Sequence, residues 1–270
     1  GFALLTSSGA GTTNGIWCAI NITSGNANVG TSTGNTIGAT SGQSSVYTTS
    51  NTAGGAAVGI YATSVNTVTI QNNTIGAFDC SGTTTSFAQS FTGIDVAGIG
   101  GTHSINTNTI GNSTADNIRT GNLTATGVAG GNLTNSGGIL VSATGTSVLT
   151  GIRNSSTGAT SSITANTYRG WNIGGTATTC TGITTTGALT SSSTIDGNFL
   201  GTSGLGWVRY TFANSGALTG ITSSATTATA TLSIQTNDFR GIVHTTNGTN
   251  AHTYITNTSV CLSQNISSNT

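Results

Sequence analysis

The chain has 270 residues, of which only 4% are charged, and its five Arg and five Asp residues leave zero formal net charge. A typical globular protein has about 25% charged residues. Zero net charge gives no electrostatic basis for binding nucleic acid, and no apolar run approaches the roughly 20 residues of a spanning helix. We therefore expect no nucleic acid partner and no membrane insertion.

Several features favour an all-β chain. Lys, Glu and Met are absent, which removes most strong helix formers, whereas Thr, Ile and Val suit a pleated sheet. Regular spacing of Ile and Val, together with zero net charge, also disfavours intrinsic disorder.

One pattern recurs along the chain: Ile, two residues, Asn, one residue, a bulky apolar residue and then Gly. The first copy is weaker, with Ser32 in the Ile position, and later copies begin at Ile70, Ile105, Ile163, Ile195, Ile234 and Ile266. The Asn residues of the pattern are Asn35, Asn73, Asn108, Asn166, Asn198, Asn237 and Asn269. Two copies, at Ile163 and Ile234, insert an Arg before the Gly.

A second element, Gly-Ile, precedes each copy and ends a short predicted strand. Its Ile residues are Ile16, Ile60, Ile94, Ile152, Ile183 and Ile221, and Ile255 comes after Tyr254 in the same place. The spacing between successive Asn residues varies from 32 to 58 residues while both elements persist. Such tolerance is typical of a solenoid with variable loops. The sequence therefore predicts a right-handed parallel β-helix of about seven coils with variable loops.

Stacked coils would lie about 4.8 Å apart and bury three columns of side chains. Two columns are the Ile residues of the two elements, and the third comprises Ile37, Ile75, Ile110, Tyr168, Leu200 and Phe239. The Asn residues are expected to form a structural ladder, because an amide can donate to one neighbour and accept from the other. Asn also tolerates the left-handed conformation that a sharp corner needs, and the next Gly supplies positive φ or close approach.

This pattern resembles the parallel β-helix repeats of the pectate-lyase-like superfamily, which carry an Asn ladder at one corner. It is also similar to the large Thr/Gly/Asn-rich repetitive proteins that bacteria secrete to their surface. The resemblance covers nearly the whole chain and is one of architecture. It implies an extracellular, cell-surface segment with a structural or adhesive role in a filament or stalk. The scattered Asp residues and the absence of Lys lead us to expect that the chain is not an enzyme.

The whole chain, 1–270, is expected to be a single β-helix segment. The last copy, at Ile266, stops before its apolar residue, and Gly1-Phe2 resembles the residues directly after each copy of the pattern, such as Gly170-Trp171. We therefore expect a fragment of a longer array, whose partners are neighbouring repeats or a second copy stacked end to end, since uncapped coils present unpaired backbone. Residues 112–136 are extra and form either an inserted coil or a loop.

No residues group into a reactive site. The five Asp residues are scattered, with Asp79 and Asp116 expected in turns, and the three His residues, His103, His244 and His252, lack ligand spacing. We therefore predict no catalytic residue, cofactor or metal. One ion pair is predicted, between Asp95 and Arg153, because each comes directly after a Gly-Ile element.

The cysteines are Cys18, Cys80, Cys180 and Cys261. They lack C-x-x-C spacing, which leaves both disulfides and buried free thiols open.

Two other functions remain open. An ice-binding β-solenoid would need Thr-x-Thr segments in one phase on every coil, but 67–69, 107–109 and 227–231 differ in phase. A polysaccharide-binding or polysaccharide-degrading β-helix would need exposed aromatic residues or paired carboxylates. The candidate aromatic residues for surface adhesion are Trp17, Trp171, Trp207, Tyr47, Tyr61 and Tyr210.

Overall fold

The computed structural model describes residues 2–4, 17–51, 55–63, 66–98, 100–124, 128–129, 132–133 and 139–270. Within these ranges all regular secondary structure is β, with no helix, and most strands stack in parallel sheets. The all-β, parallel β-solenoid prediction is confirmed. The right-handed sense and the number of coils stay predictions.

The chain forms thirty strands within the described residues. In chain order they begin with β1 (Phe2–Leu4), β2 (Trp17–Ile22), β3 (Ala27–Val29), β4 (Thr36–Gly38), β5 (Val46–Ser50), β6 (Ala56–Ala62), β7 (Val68–Gln71), β8 (Thr74–Gly76), β9 (Phe78–Gly82) and β10 (Ser90–Val96). They continue with β11 (Thr102–Asn106), β12 (Thr109–Ile110), β13 (Ile118–Thr124), β14 (Val128–Ala129), β15 (Asn132–Leu133), β16 (Ile139–Val141), β17 (Ala143–Asn154), β18 (Gly158–Thr164), β19 (Thr167–Tyr168) and β20 (Trp171–Ile173). The last ten are β21 (Gly175–Thr185), β22 (Leu189–Asp196), β23 (Phe199–Leu200), β24 (Val208–Tyr210), β25 (Leu218–Ser223), β26 (Thr231–Gln235), β27 (Asp238–Phe239), β28 (Ile242–His244), β29 (His252–Asn257) and β30 (Ser263–Ser267).

Four sheets run along the solenoid, and each coil contributes a strand to them in turn. The first sheet has the order β1-β5-β9-β13-β20-β24-β28, and the second has β2-β6-β10-β17-β21-β25-β29. The third has β3-β7-β11-β18-β22-β26-β30, and the fourth, short sheet has β4-β8-β12-β19-β23-β27. Neighbours along each path pair in parallel, because the chain returns to the same sheet one coil later.

The register confirms the predicted columns, with two changes in the first coil. Ile60, Ile94 and the later Gly-Ile residues stack through Ile255, as do the pattern Ile residues from Ile70 to Ile266. Ile16 lies outside the described residues, and Ile20 sits opposite Ile60, with Ala19 in place of the usual Gly.

Ser32 does not occupy the Ile position of the first copy. Val29 pairs with Ile70 instead, and Ser32 is exposed in the longer turn after it. Only an apolar side chain can fill this position of the core, and Val29 is the residue that reaches it. The third predicted column, from Ile37 to Phe239, is confirmed throughout.

The interval 112–136 departs from the regular winding after an ordinary start. Ile118 to Gly121 pair with β9 in the first sheet, and 118–120 also pair with β20. Residues 122–124 then pair antiparallel with β16, so the chain leaves the solenoid here. In the second sheet β10 pairs directly with β17. Residues 125–127, 130–131 and 134–138 lie outside the described part of the chain.

A small second cluster forms where this excursion crosses the first sheet. Tyr47, Leu123 and Leu140 are buried together, with Phe212 packed against them. The cluster covers the outer side of the early coils, a face that a solenoid usually leaves to solvent.

Candidate functional site

The seven pattern Asn residues lie in one file. Each Nδ2 donates to Oδ1 of the next Asn at 2.8–3.0 Å. The backbone N–H of the same residue donates to that Oδ1 at 3.0–3.1 Å. From Asn73 onward, the second Nδ2 proton goes to a backbone carbonyl of the preceding coil, such as Asn166 to Ile105 at 2.9 Å.

This file of amides is saturated, because each interior Asn donates twice and accepts twice. Asn73, Asn108, Asn166, Asn198 and Asn237 are at most 1% exposed. The interior of the file has no amide group left to bind a ligand. Its role is to hold each coil at a fixed height on the next.

The corner conformation differs from the prediction in one respect. The left-handed φ belongs to the residue before the ladder Asn: Asn72, Thr107, Ala165, Gly197, Thr236 and Ser268. The ladder Asn residues themselves are not among the positive-φ positions. Asn is therefore needed here for its hydrogen bonds and not for its backbone tolerance. The Gly at the end of the pattern is needed as predicted at Gly111, where φ is 117° and a Cβ would lie 1.9 Å from the Arg169 carbonyl oxygen.

The predicted Asp95–Arg153 ion pair is confirmed. The two residues pair directly across coils, and Arg153 Nε donates to Asp95 Oδ1 at 2.8 Å. The carboxylate is buried whereas the Arg153 side chain is 44% exposed. The hydrogen bond to Asp95 raises the pKa of Arg153.

A second pair is buried on both sides. Arg119 holds Asp79 through two hydrogen bonds of 2.7 Å, and Ser44 donates to the same carboxylate. Asp79 is 1% and Arg119 5% exposed. The prediction of a turn for Asp79 is wrong, since it lies in β9, between the core residues Phe78 and Cys80.

The other acidic residues also have polar partners. Asp116 lies in a turn, as predicted, and accepts from Arg209 at 2.8 Å, while Asp238 pairs with Arg240. Asp196 accepts from Ser233 Oγ at 2.9 Å and from the Gln235 backbone N–H. Every carboxylate is therefore engaged, and four of the five Asp residues are joined to a residue from a different coil.

The outer side of the third sheet is a regular array of small polar side chains, which we call the hydroxyl face. It consists of Thr102, Ser104 and Asn106 on β11, Thr160, Ser162 and Thr164 on β18, Ser192, Thr194 and Asp196 on β22, and Thr231, Ser233 and Gln235 on β26. Residues of neighbouring strands align in register, and Thr160 Oγ1 donates to Thr102 Oγ1 at 3.1 Å. Successive outward residues of one strand are about 6.6–6.8 Å apart, and aligned residues of neighbouring strands are about 4.8 Å apart.

The second sheet carries two further columns, which we call the threonine files. One contains Thr92, Thr150, Thr181, Thr219 and Thr253, and the other contains Thr184, Thr222 and Thr256. A search for Thr-x-Thr misses these files because the two Thr residues of a coil are separated by two residues, Gly-Ile or Tyr-Ile. The constant position of each Thr relative to that Ile is the sequence signal that could have found them.

The Thr-x-Thr candidates indeed differ in phase. Thr69 and Thr231 belong to the third sheet, whereas Thr107 is at the corner and Thr109 is in the fourth sheet. Ser residues of other coils, however, occupy the same outward columns as Thr69 and Thr231, so the array is more continuous than the Thr residues alone indicate.

Protein-family models, curated proteins and solved structures give no match to this chain. The described residues contain no helix long and apolar enough to cross a membrane. Within the same residues no three or more His, Cys, Asp or Glu side chains group as a metal site.

The six aromatic candidates for surface contact do not lie on the surface. Trp171, Trp207, Tyr47, Tyr61 and Tyr210 are buried, and Trp17 is partly buried against the core. Among the described Phe, Tyr and Trp side chains, those that are exposed are Phe199, at 45%, and Tyr254, at 52%. The large rings are inside because they fill the volume of the core. The ring centroids of Trp171 and Trp207, for example, are 5.9 Å apart.

The four cysteines are free thiols, and Cys80 and Cys180 are buried. Burial raises the pKa of both buried thiols, so they remain protonated core residues.

The three histidines differ in environment. His103 is fully buried at an inward position of the third sheet, where burial lowers its pKa. His244 and His252 come together in the last coil, which their spacing in the sequence does not indicate. Their positions face inward in the first and second sheets, as the register with Tyr210 and Leu218 shows.

Proposed function

We propose that this chain is a non-catalytic structural segment of an extracellular or cell-surface solenoid, acting in a stalk, filament or adhesin. The observation that carries the proposal is the saturated Asn file, which uses the most regular polar feature of the sequence to join coils. Three of the four ion pairs in the described residues also join coils, and no cofactor is required by the Asn file or by these pairs.

The resemblance to pectate-lyase-like repeats and to Thr/Gly/Asn-rich secreted bacterial proteins supports the proposal and its extracellular location. A surface with few charges and many hydroxyl groups suits a repetitive exterior element.

The partner in this proposal is a further coil of the same kind, from a neighbouring repeat or a second copy. The last coil leaves several apolar side chains uncovered: Ile266, the last member of the pattern Ile column, is 42% exposed, and Val243, Val260 and Leu262 are 49%, 65% and 71% exposed. Its strands β28, β29 and β30 also stand at the edges of their sheets. Exposed apolar side chains beside an unpaired strand edge favour association with another strand.

This proposal is tested by light scattering and electron microscopy of the purified chain. We expect concentration-dependent, end-to-end association into rods, which Ile266→Arg weakens because a charge would enter the stacking face. Val148→Arg is the matched control, since Val148 is 47% exposed on the side of β17. Monomers at all concentrations, or equal effects of both variants, would contradict the proposal.

Ice binding is a second candidate, and the hydroxyl face and the threonine files are the observation that favours it. Both are repeated, weakly charged arrays with fixed spacing. A measurement of thermal hysteresis separates the candidates: activity that Thr194→Lys or Thr222→Lys abolishes would support ice binding, and no activity would remove it.

Surface polysaccharide is a further proposed partner. Exposed Phe199 lies beside Thr167 and the Asp238–Arg240 pair in one shallow groove, which offers an apolar ring next to charged hydrogen-bonding groups. Phe199→Ala should abolish any sedimentation of the chain with insoluble polysaccharide, and sedimentation that persists would exclude this groove.

A further inference from the structure

The last coil contains an unusual pair of inward-facing residues. In the preceding coil the corresponding positions are Tyr210 and Leu218, and in the coil before that Ile173 and Cys180. Here they are His244 and His252, which end β28 and begin β29. Two imidazoles thus replace apolar or thiol side chains at the same point of the interior.

The two rings meet through their nitrogen atoms. His244 Nε2 and His252 Nε2 are 3.0 Å apart, with ring centroids at 5.0 Å. The side-chain Nδ2 of Asn250 lies 3.1 Å from the same His252 Nε2. Two imidazole nitrogens therefore meet at the end of the turn between the two strands, beside an amide whose oxygen can bind a metal once the amide is turned over.

Packing fixes the position of the pair. His244 stacks on Tyr210 with a centroid distance of 4.4 Å and an interplanar angle of 6°. His252 lies 6.4 Å from the same Tyr210 ring. A common aromatic floor limits ring movement on one side, while His252 is exposed and reachable from solvent on the other.

We propose that His244 and His252, with the Asn250 amide oxygen, form a binding site for a divalent transition-metal ion such as Zn²⁺. Imidazole nitrogen suits zinc, copper and nickel. Two nitrogens bound at about 2.0–2.1 Å, with an angle of about 90° to 109° at the ion, lie about 2.9–3.4 Å apart. The observed 3.0 Å separation falls in this range.

Small side-chain rotations complete the site. The rings turn so that the two Nε2 lone pairs meet at the ion, and the amide of Asn250 presents its oxygen. Each Nε2 must be unprotonated to bind, so the ring proton moves to Nδ1. Burial and, secondarily, the nearby His252 lower the pKa of His244. Water would fill the remaining positions around the ion.

Titration calorimetry with Zn²⁺ on the chain, free of any polyhistidine tag, tests the site. We expect one Zn²⁺ per chain, and His252→Gln should weaken binding at least about tenfold. His244→Gln combined with His252→Gln should abolish it. Asn247→Ala is the control, because Asn247 lies exposed in the same turn and should leave binding unchanged.

Imidazole nitrogen NMR of the unsubstituted chain gives an independent readout that needs no variant. The Nε2 signals of His244 and His252 should shift on addition of Zn²⁺, while those of buried His103 should not. Absence of binding at millimolar Zn²⁺, or unchanged binding in the double variant, would overturn the proposal.

Discussion

Two connections between strands recur along the solenoid, and they differ in how much their length varies from coil to coil. At the corner from the third to the fourth sheet, β7 ends at Gln71 and β8 begins at Thr74, and β11 ends at Asn106 and β12 begins at Thr109. The later coils repeat this short turn. From the first to the second sheet the connection is Gly174 alone in one coil and residues 211–217 in the next.

The difference arises from hydrogen bonding. The ladder Asn serves neighbouring coils on both sides, so an added residue at the corner would displace its amide and leave buried polar groups without partners. Where the structure describes the connection from the first to the second sheet, it has no comparable file, and its loops can vary in length. The excursion after β13 is the extreme case.

The largest expected effect breaks the ladder in its middle. Asn166→Ala removes two N–H donors and the one side-chain oxygen that accepts two hydrogen bonds in the buried interior, and it should lower the free energy of unfolding by roughly 4 kcal/mol. Asn35→Ala is the matched change at an exposed Asn of the first coil and should cost about 1 kcal/mol. Urea unfolding measured by circular dichroism compares both. Equal costs would show that the ladder does not act through burial.

The next prediction concerns the ion pairs of the first and second sheets, which the variable connection joins. Arg119→Ala leaves the Asp79 carboxylate buried without its cation and should cost about 3 kcal/mol. Arg153→Ala, in the half-exposed pair, should cost about 1 kcal/mol. Urea unfolding of the two variants compares them, and a larger cost for Arg153→Ala would show that burial of the Asp79–Arg119 pair does not decide the cost of losing its cation.

A smaller effect tests the fixed corner itself. Gly111→Ala places a Cβ 1.9 Å from the Arg169 carbonyl oxygen at φ 117° and should cost about 2 kcal/mol. Gly204→Ala is the control, because no atom lies within 4 Å of its added Cβ. Thermal unfolding should separate the two variants clearly, and a Gly204→Ala effect of the same size would refute the close-contact argument.

The smallest effect is a pH dependence. Burial lowers the pKa of His103, so the folded state binds fewer protons than the unfolded state near its usual pKa of 6.5. Stability from the neutral ring is fully present above that value and is lost as pH falls below it. His103→Leu should reduce the loss of stability between pH 7 and pH 5. An unchanged pH profile would show that His103 is not responsible.

The sequence determined the repeat, the inward columns and the members of the Asn file, because stacking in register requires one residue type at each recurring position. Asp95 and Arg153 could be paired from phase alone for the same reason. The first coil was less predictable, since Ala19 and the longer turn after Val29 disguise the pattern.

Only the tertiary structure decided what depends on loops and on the space between sheets. It buried Asp79 with Arg119, placed the large aromatic residues in the core, and brought His244 against His252. It also aligned the Thr and Ser residues into outer faces. These contacts join residues whose separation is set by irregular connections, and the repeat contains no information on the length or path of such a connection.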